Sequence, residues 1–195
     1  MDLTDEERNV LRNTEFLQIK NQLSEKVVRY LSKIERALHQ AIQEDAFDFP
    51  AGTFLKSGKI SKGEQYKNLP YFILDYPRLF THANVFAFRS MLWWGHEYSC
   101  TLHLQGDILK SHSKSITENL SKASDGYFCV NKQPWEYHFE RDNYVPLEEI
   151  NSSDISRQIK EHEFIKISDF MPLVNFSAYE SFTLESFARF LRYIK

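Results

Sequence analysis

The stretch Val85-Phe-Ala-Phe-Arg-Ser-Met-Leu-Trp-Trp94, then Gly95-His96, then Glu97-Tyr-Ser-Cys-Thr-Leu-His-Leu-Gln105 decides the fold. From Glu97 onward polar and apolar residues alternate strictly. Glu97, Ser99, Thr101, His103 and Gln105 stand against Tyr98, Cys100, Leu102 and Leu104. A period of two is that of a strand with one face buried. The run before it is apolar and aromatic, which fits a pleated surface. Glycine at the first turn position suits a two-residue type II′ hairpin at Gly95-His96, which sets Trp94 opposite Glu97. In that register one face carries Trp93, Tyr98, Met91, Cys100, Arg89, Leu102, Ala87 and Leu104, a core face with a single charge. The other carries Trp94, Glu97, Leu92, Ser99, Ser90, Thr101, Phe88 and His103, where large apolar groups mix with hydroxyls and an imidazole.

Upstream, Pro70-Tyr-Phe-Ile-Leu-Asp-Tyr-Pro77 is a compact β run, apolar and tyrosine except for Asp75. Further back lies the clearest helix. Phe16, Ile19, Leu23, Val27, Tyr30, Ile34, Leu38 and Ile42 recur at spacings of three and four, which places them on one stripe. No Pro or Gly interrupts Glu15 to Glu44. The stripe is expected to pack on the protein's own sheet, since it is too short for a sustained coiled coil. Thr4 with Glu7 forms a capping box for a short helix before it. Between the long helix and the β run, residues 51–68 read as a loop or weak hairpin with a basic bias from Lys56, Lys59, Lys62 and Lys67.

Downstream of Gly106, residues 107–122 read as a polar helix. Tyr127 to Val130 and Trp135 to Phe139 look like strands, residues 153–162 a helix, and Phe164 to Ile167 a strand. The C-terminus is a helix with Leu184, Phe187, Leu191 and Ile194 on its apolar face and Ser177 with Glu180 as a capping box. Helices at both ends with strands between them, several joined by tight turns, predict one α+β domain over 1–195. Its sheet is mainly antiparallel, with the long N-terminal helix and the C-terminal helix packed on it. The absence of alternating βαβ units argues against a dinucleotide-binding sheet.

The 195 residues are 42% hydrophobic and 26% charged, an ordinary globular composition that can bury a core without disulfides or metal. A net charge of -3 gives no reason to expect a nucleic-acid partner. No run is long and apolar enough for a membrane span. The acidic start Met1-Asp-Leu-Thr-Asp-Glu-Glu-Arg8 has no apolar core of a secretory signal, so a cytoplasmic location is expected. Cys100 and Cys129 read as reduced and buried. The glycosylation triplets at Asn119, Asn151 and Asn175 are then taken as chance.

Motifs for chemistry are absent. Gly58-Lys59-Ile-Ser61-Lys62-Gly63 fails the phosphate-loop pattern, which needs a following helix to present its amides. The seven histidines show no helical zinc spacing, there is no Cys-x-x-Cys, and neither cofactor nor metal is expected. Arg89 in the core run needs a carboxylate, and Asp75, alone in its own apolar run, is the partner expected. The leading functional reading is a small-ligand or anion-binding protein, with or without catalysis. Its site would lie near Lys59, Lys62, Asp75, Arg78, Arg89 and His103. The rival reading is an interaction protein or homo-oligomer built on the long helix or on exposed aromatics.

The segments Ile60 to Arg78, Phe88-Arg-Ser-Met-Leu-Trp-Trp-Gly-His96 and Thr101-Leu-His-Leu-Gln-Gly106 resemble small proteins of Bacteroidetes-type bacteria to which no activity is attached. The resemblance implies a bacterial cytoplasmic origin and transfers no functional residue.

Overall fold

The computed structural model describes residues 2–173 and 176–195; Asn175, the first residue of the third glycosylation triplet, lies outside them. The described residues form five α-helices and a seven-stranded antiparallel sheet, an α+β fold. In chain order these are α1 (Asp5–Arg12), α2 (Thr14–Glu44), β1 (Lys59–Tyr66), β2 (Leu69–Phe80), β3 (Val85–Trp93) and β4 (Glu97–Gln105). There follow α3 (Asp107–Leu120), β5 (Tyr127–Cys129), β6 (Tyr144–Pro146), α4 (Ser152–His162), β7 (Phe164–Pro172) and α5 (Ser177–Ile194). The strand order is β1-β2-β3-β4-β7-β5-β6. Among the described residues no helix is long and apolar enough to cross a membrane.

The thirty-one residues of α2, ~46 Å at 1.5 Å each, are a single helix as the periodicity predicts. Val27, Leu31, Ile34 and Leu38 are buried against the sheet. With α3 and α5 they close over Phe72, Leu74, Phe86, Phe88, Tyr98, Leu102, Leu104, Ile165 and Ile167. The expected stripe fails at its start, where Phe16 and Ile19 are exposed. Phe16 is in line with Val27 and Ile34 on the wheel, yet it is 48% exposed where they are buried. Lys20, four residues on, is already tied to Glu64 of the edge strand at 2.8 Å. The Thr4–Glu7 capping box forms. The Ser177–Glu180 box does not: α5 is capped at Phe176, and the Glu180 carboxylate is 2.7 Å from Lys33 of α2.

The β3–β4 hairpin forms, but its register is one residue from the expected one. Leu92 pairs with Tyr98 and Met91 with Ser99, so the loop is Trp94 to His96. Gly95 takes φ +76° in a turn closed by His96 N–H donating to the Trp93 carbonyl, and the Trp93 and His96 rings stack 3.6 Å apart. A slip of one residue moves a strand's whole side-chain set to the other face. In the expected register Arg89 would share the core with Tyr98 and Leu102. In the observed one, Phe86, Phe88, Ser90 and Leu92 join Leu104, Leu102, Cys100 and Tyr98 beneath the helices. Arg89 then joins Ser99, Thr101 and His103 on the opposite face, so the charge leaves the apolar core.

Two further expectations are corrected. Residues 51–68 contain a full strand, β1, joined to β2 by Lys67 and Asn68 at φ +46° and +64°, the left-handed pair a type I′ turn requires. Trp135 to Phe139 is not a strand. Its amides at Tyr137 and His138 donate to the Tyr66 hydroxyl, at 2.7 and 3.1 Å, in place of a neighbouring strand. This segment belongs to a strap, residues 130–143, that runs across the sheet face opposite the helices.

Candidate functional site

The face under the strap is mixed: Ile73, Met91 and Trp93 pack with Tyr137 of the strap at one end, and beside them lie polar and charged groups. One row of paired positions crosses four strands: Asp75, Arg89, Thr101 and Ser168. Arg89 donates from Nε to Asp75 Oδ1 at 2.7 Å and from Nη2 to Oδ2 at 2.9 Å. This is the two-pronged geometry that suits a guanidinium and a carboxylate. The Tyr137 ring of the strap lies over the guanidinium, 4.7 Å from Cζ. Beside this pair the Thr101 and Ser168 hydroxyls are 2.7 Å apart, and Ser168 donates onward to the Cys100 carbonyl.

β2 carries one extra residue between Asp75 and Arg78, so both address this face although they are three apart. The next row reads Arg78, Ala87, His103 and Lys166. His103 is buried between the rings of Trp135 and Phe164, and neither ring nitrogen has a hydrogen-bond partner among the described residues. Burial, with Lys166 and Arg89 adding positive charge nearby, lowers its pKa to about 3, so the imidazole is neutral. Lys166 is fully buried and donates from Nζ to the Glu136 carbonyl of the strap. The same ammonium lies 4.6 Å from the Tyr137 ring centre and 5.0 Å from that of Tyr144. Burial lowers its pKa to about 8. Both cysteines are free and buried, and burial pushes the Cys100 thiol up to about 12, which makes it inert.

The six residues expected to form a ligand site are not gathered into one. Asp75 and Arg89 satisfy each other. His103 lies on the same face but is enclosed by aromatics. Arg78 is turned to the Phe54 ring, its Cζ 4.8 Å from the ring centre. Lys59 pairs in register with Asp75 on the exposed edge strand, whereas Lys62 pairs with Phe72 and so points to the other face. There it borders a groove with Lys20, Ser24 and Arg29 of α2. The six residues therefore do not converge: the two lysines lie on opposite faces, and the half-buried arginine is paired with Asp75.

Sequence reasoning missed Lys166, Glu136, Tyr137 and His138. Lys166 had the signal that identified Asp75, a lone charge in the apolar run Phe164-Ile-Lys-Ile167. The strap residues had no such signal, because they read as part of a strand.

A second surface lies at the opposite extreme of polarity. α1 has no buried residue. Val10 and Leu11 on it are 56% and 65% exposed, and Phe16 and Ile19 at the start of α2 are 48% and 54% exposed. The α2 stripe continues from these into a mostly apolar groove of about 180 Å³, lined by Leu23, Val27, Leu92, Trp94, Phe176 and Tyr179 among others. Large apolar side chains left contiguous in water mark an interaction surface more often than a monomer's ordinary surface.

Comparison with protein-family models, with curated proteins and with solved structures finds no match for this chain.

Proposed function

We infer that this chain is an interaction protein rather than a small-ligand enzyme, and that its helical arm, α1 with the first turns of α2, docks on a second copy of itself. The observation that carries the reading is the exposure of Val10, Leu11, Phe16 and Ile19, on an α1 that buries none of its residues and on the first turns of α2. The charges favour self-association. The arm carries Asp2, Asp5, Glu6, Glu7 and Glu15 against Arg8 and Arg12, whereas Lys26, Arg29, Lys33 and Arg36 stand exposed further along α2, Arg29 beside Glu25 and Lys33 beside Glu180. Antiparallel pairing of two arms about a two-fold axis near Ile19 brings the acidic end of each towards the basic stretch of the other. Such an isologous contact closes on itself and does not propagate.

Hydrogen exchange at two protein concentrations tests this. Amides of residues 5–22 should become protected as concentration rises, while those of β3 and β4 stay unchanged. Exchange in the arm that ignores concentration would remove the second copy as its occupant.

A further inference from the structure

The strap carries the run Glu136-Tyr-His-Phe-Glu-Arg-Asp142, in which acids and a histidine alternate. It brings three of these side chains to one spot: a donor atom each from His138, Glu140 and Asp142 lies within 4.8 Å of the others. The histidine is the unusual member. Its side chain is 5% exposed, and its Nδ1 has no hydrogen-bond partner among the described residues. That nitrogen is aimed between Glu140 Oε2 at 3.6 Å and Asp142 Oδ1 at 3.8 Å. Both separations are too long for hydrogen bonds. They match two ligands of one cation, since bonds of ~2.1 Å to nitrogen and oxygen span them at angles of ~120–130°. Both carboxylates are 72% exposed, so they can rotate inward to complete the set without disturbing the core.

The other side of the imidazole fits the same reading. Its Nε2 faces Glu136 Oε2 at 3.6 Å, and the Tyr66 hydroxyl donates to that oxygen at 3.0 Å. A metal-bound histidine commonly turns its second ring N–H to a carboxylate, which fixes the ring and strengthens the ligand. Competing cations are weak here. Lys67 Nζ is 4.0 Å from Glu140 Oε2 in an exposed pair, and Arg141 is turned away to Glu149.

We propose that His138, Glu140 and Asp142 form a site for a first-row divalent cation, Zn²⁺ or Mn²⁺, that fastens the strap over the polar face. This departs from the sequence reading, which found no metal spacing. The nitrogen ligand separates the site from one for Ca²⁺ or Mg²⁺, which take oxygen ligands.

The test uses the chelator-stripped full chain, titrated with Zn²⁺ by calorimetry and with Co²⁺ by its visible absorption. One saturable equivalent of each is expected, with Zn²⁺ displacing Co²⁺. Glu140→Gln and Asp142→Asn, at exposed positions that leave the fold intact, should each weaken binding by about 10-fold or more. His138→Gln should abolish it. The proposal is overturned if neither ion binds, or if binding is unchanged in both carboxylate variants. It is equally overturned if Ca²⁺ binds as well as Zn²⁺ and His138→Gln makes no difference. In each of those cases His138 is an imidazole set among carboxylates with no ion between them.

Discussion

Asp75 and Arg89 face each other across β2 and β3 and share two hydrogen bonds, Nε to Oδ1 at 2.7 Å and Nη2 to Oδ2 at 2.9 Å. Two lone charges in separate apolar runs thus neutralise one another on the face that the strap covers. A guanidinium keeps its charge when buried, so the carboxylate is what makes its position tolerable.

Removing one partner should therefore cost more than removing both. Arg89→Met alone is expected to destabilise by ~3–5 kcal/mol, because it strands the Asp75 carboxylate. In an Asp75→Asn background the same change should cost clearly less. Urea unfolding of the four proteins gives the coupling, and additive effects would mean that the pair contributes nothing as a unit.

His103 makes acid stability measurable. Its folded pKa of about 3 lies below the ordinary 6.5. The unfolded chain then binds the extra proton first, so the stability it contributes is present above 6.5 and is lost as pH falls towards 3. The loss is about 1.4 kcal/mol per pH unit within that window. His103→Phe, which keeps an aromatic ring against Trp135 and Phe164, should show a shallower fall in urea midpoint between about pH 6.5 and about pH 4.5. An unchanged slope would show that the imidazole is not held neutral.

The two ends of α2 should respond differently to truncation. Ile34 is fully buried, and Ile34→Ala is expected to cost ~2–5 kcal/mol. Phe16→Ala, at a half-exposed position past the sheet, should change the unfolding of the dilute monomer by about 0.5 kcal/mol or less. A large loss of monomer stability at Phe16 would mean that the arm folds back on its own chain.

Much of this architecture was legible because periodicity reports burial directly. The α2 stripe and the β4 alternation named their elements, and the isolated charges Asp75 and Arg89 named each other. The register of the β3–β4 hairpin was not legible from its turn. Gly95 fits either a two- or a three-residue loop, and the choice is made by which register keeps Arg89 out of the apolar core. The strap was misread because its amides at Tyr137 and His138 are satisfied by one tyrosine hydroxyl, 71 and 72 residues earlier in the chain, a long-range contact with no local pattern. The scatter of the candidate site residues has a related reason. Lys59 and Lys62 are close in sequence but point to opposite faces of β1, and Lys166 becomes a neighbour of His103 only when β7 pairs with β4.

The measurement that bears most directly on the proposed function is sedimentation equilibrium of the native chain beside a Phe16→Glu/Ile19→Glu double variant. The native chain is expected to be a dimer that weakens as salt rises, because opposite charges meet across the arms. The variant should be a monomer with an unaltered circular dichroism spectrum and melting transition in dilute solution. A native chain that stays monomeric at every concentration, or a variant that dimerises as well as the native chain, would contradict the account.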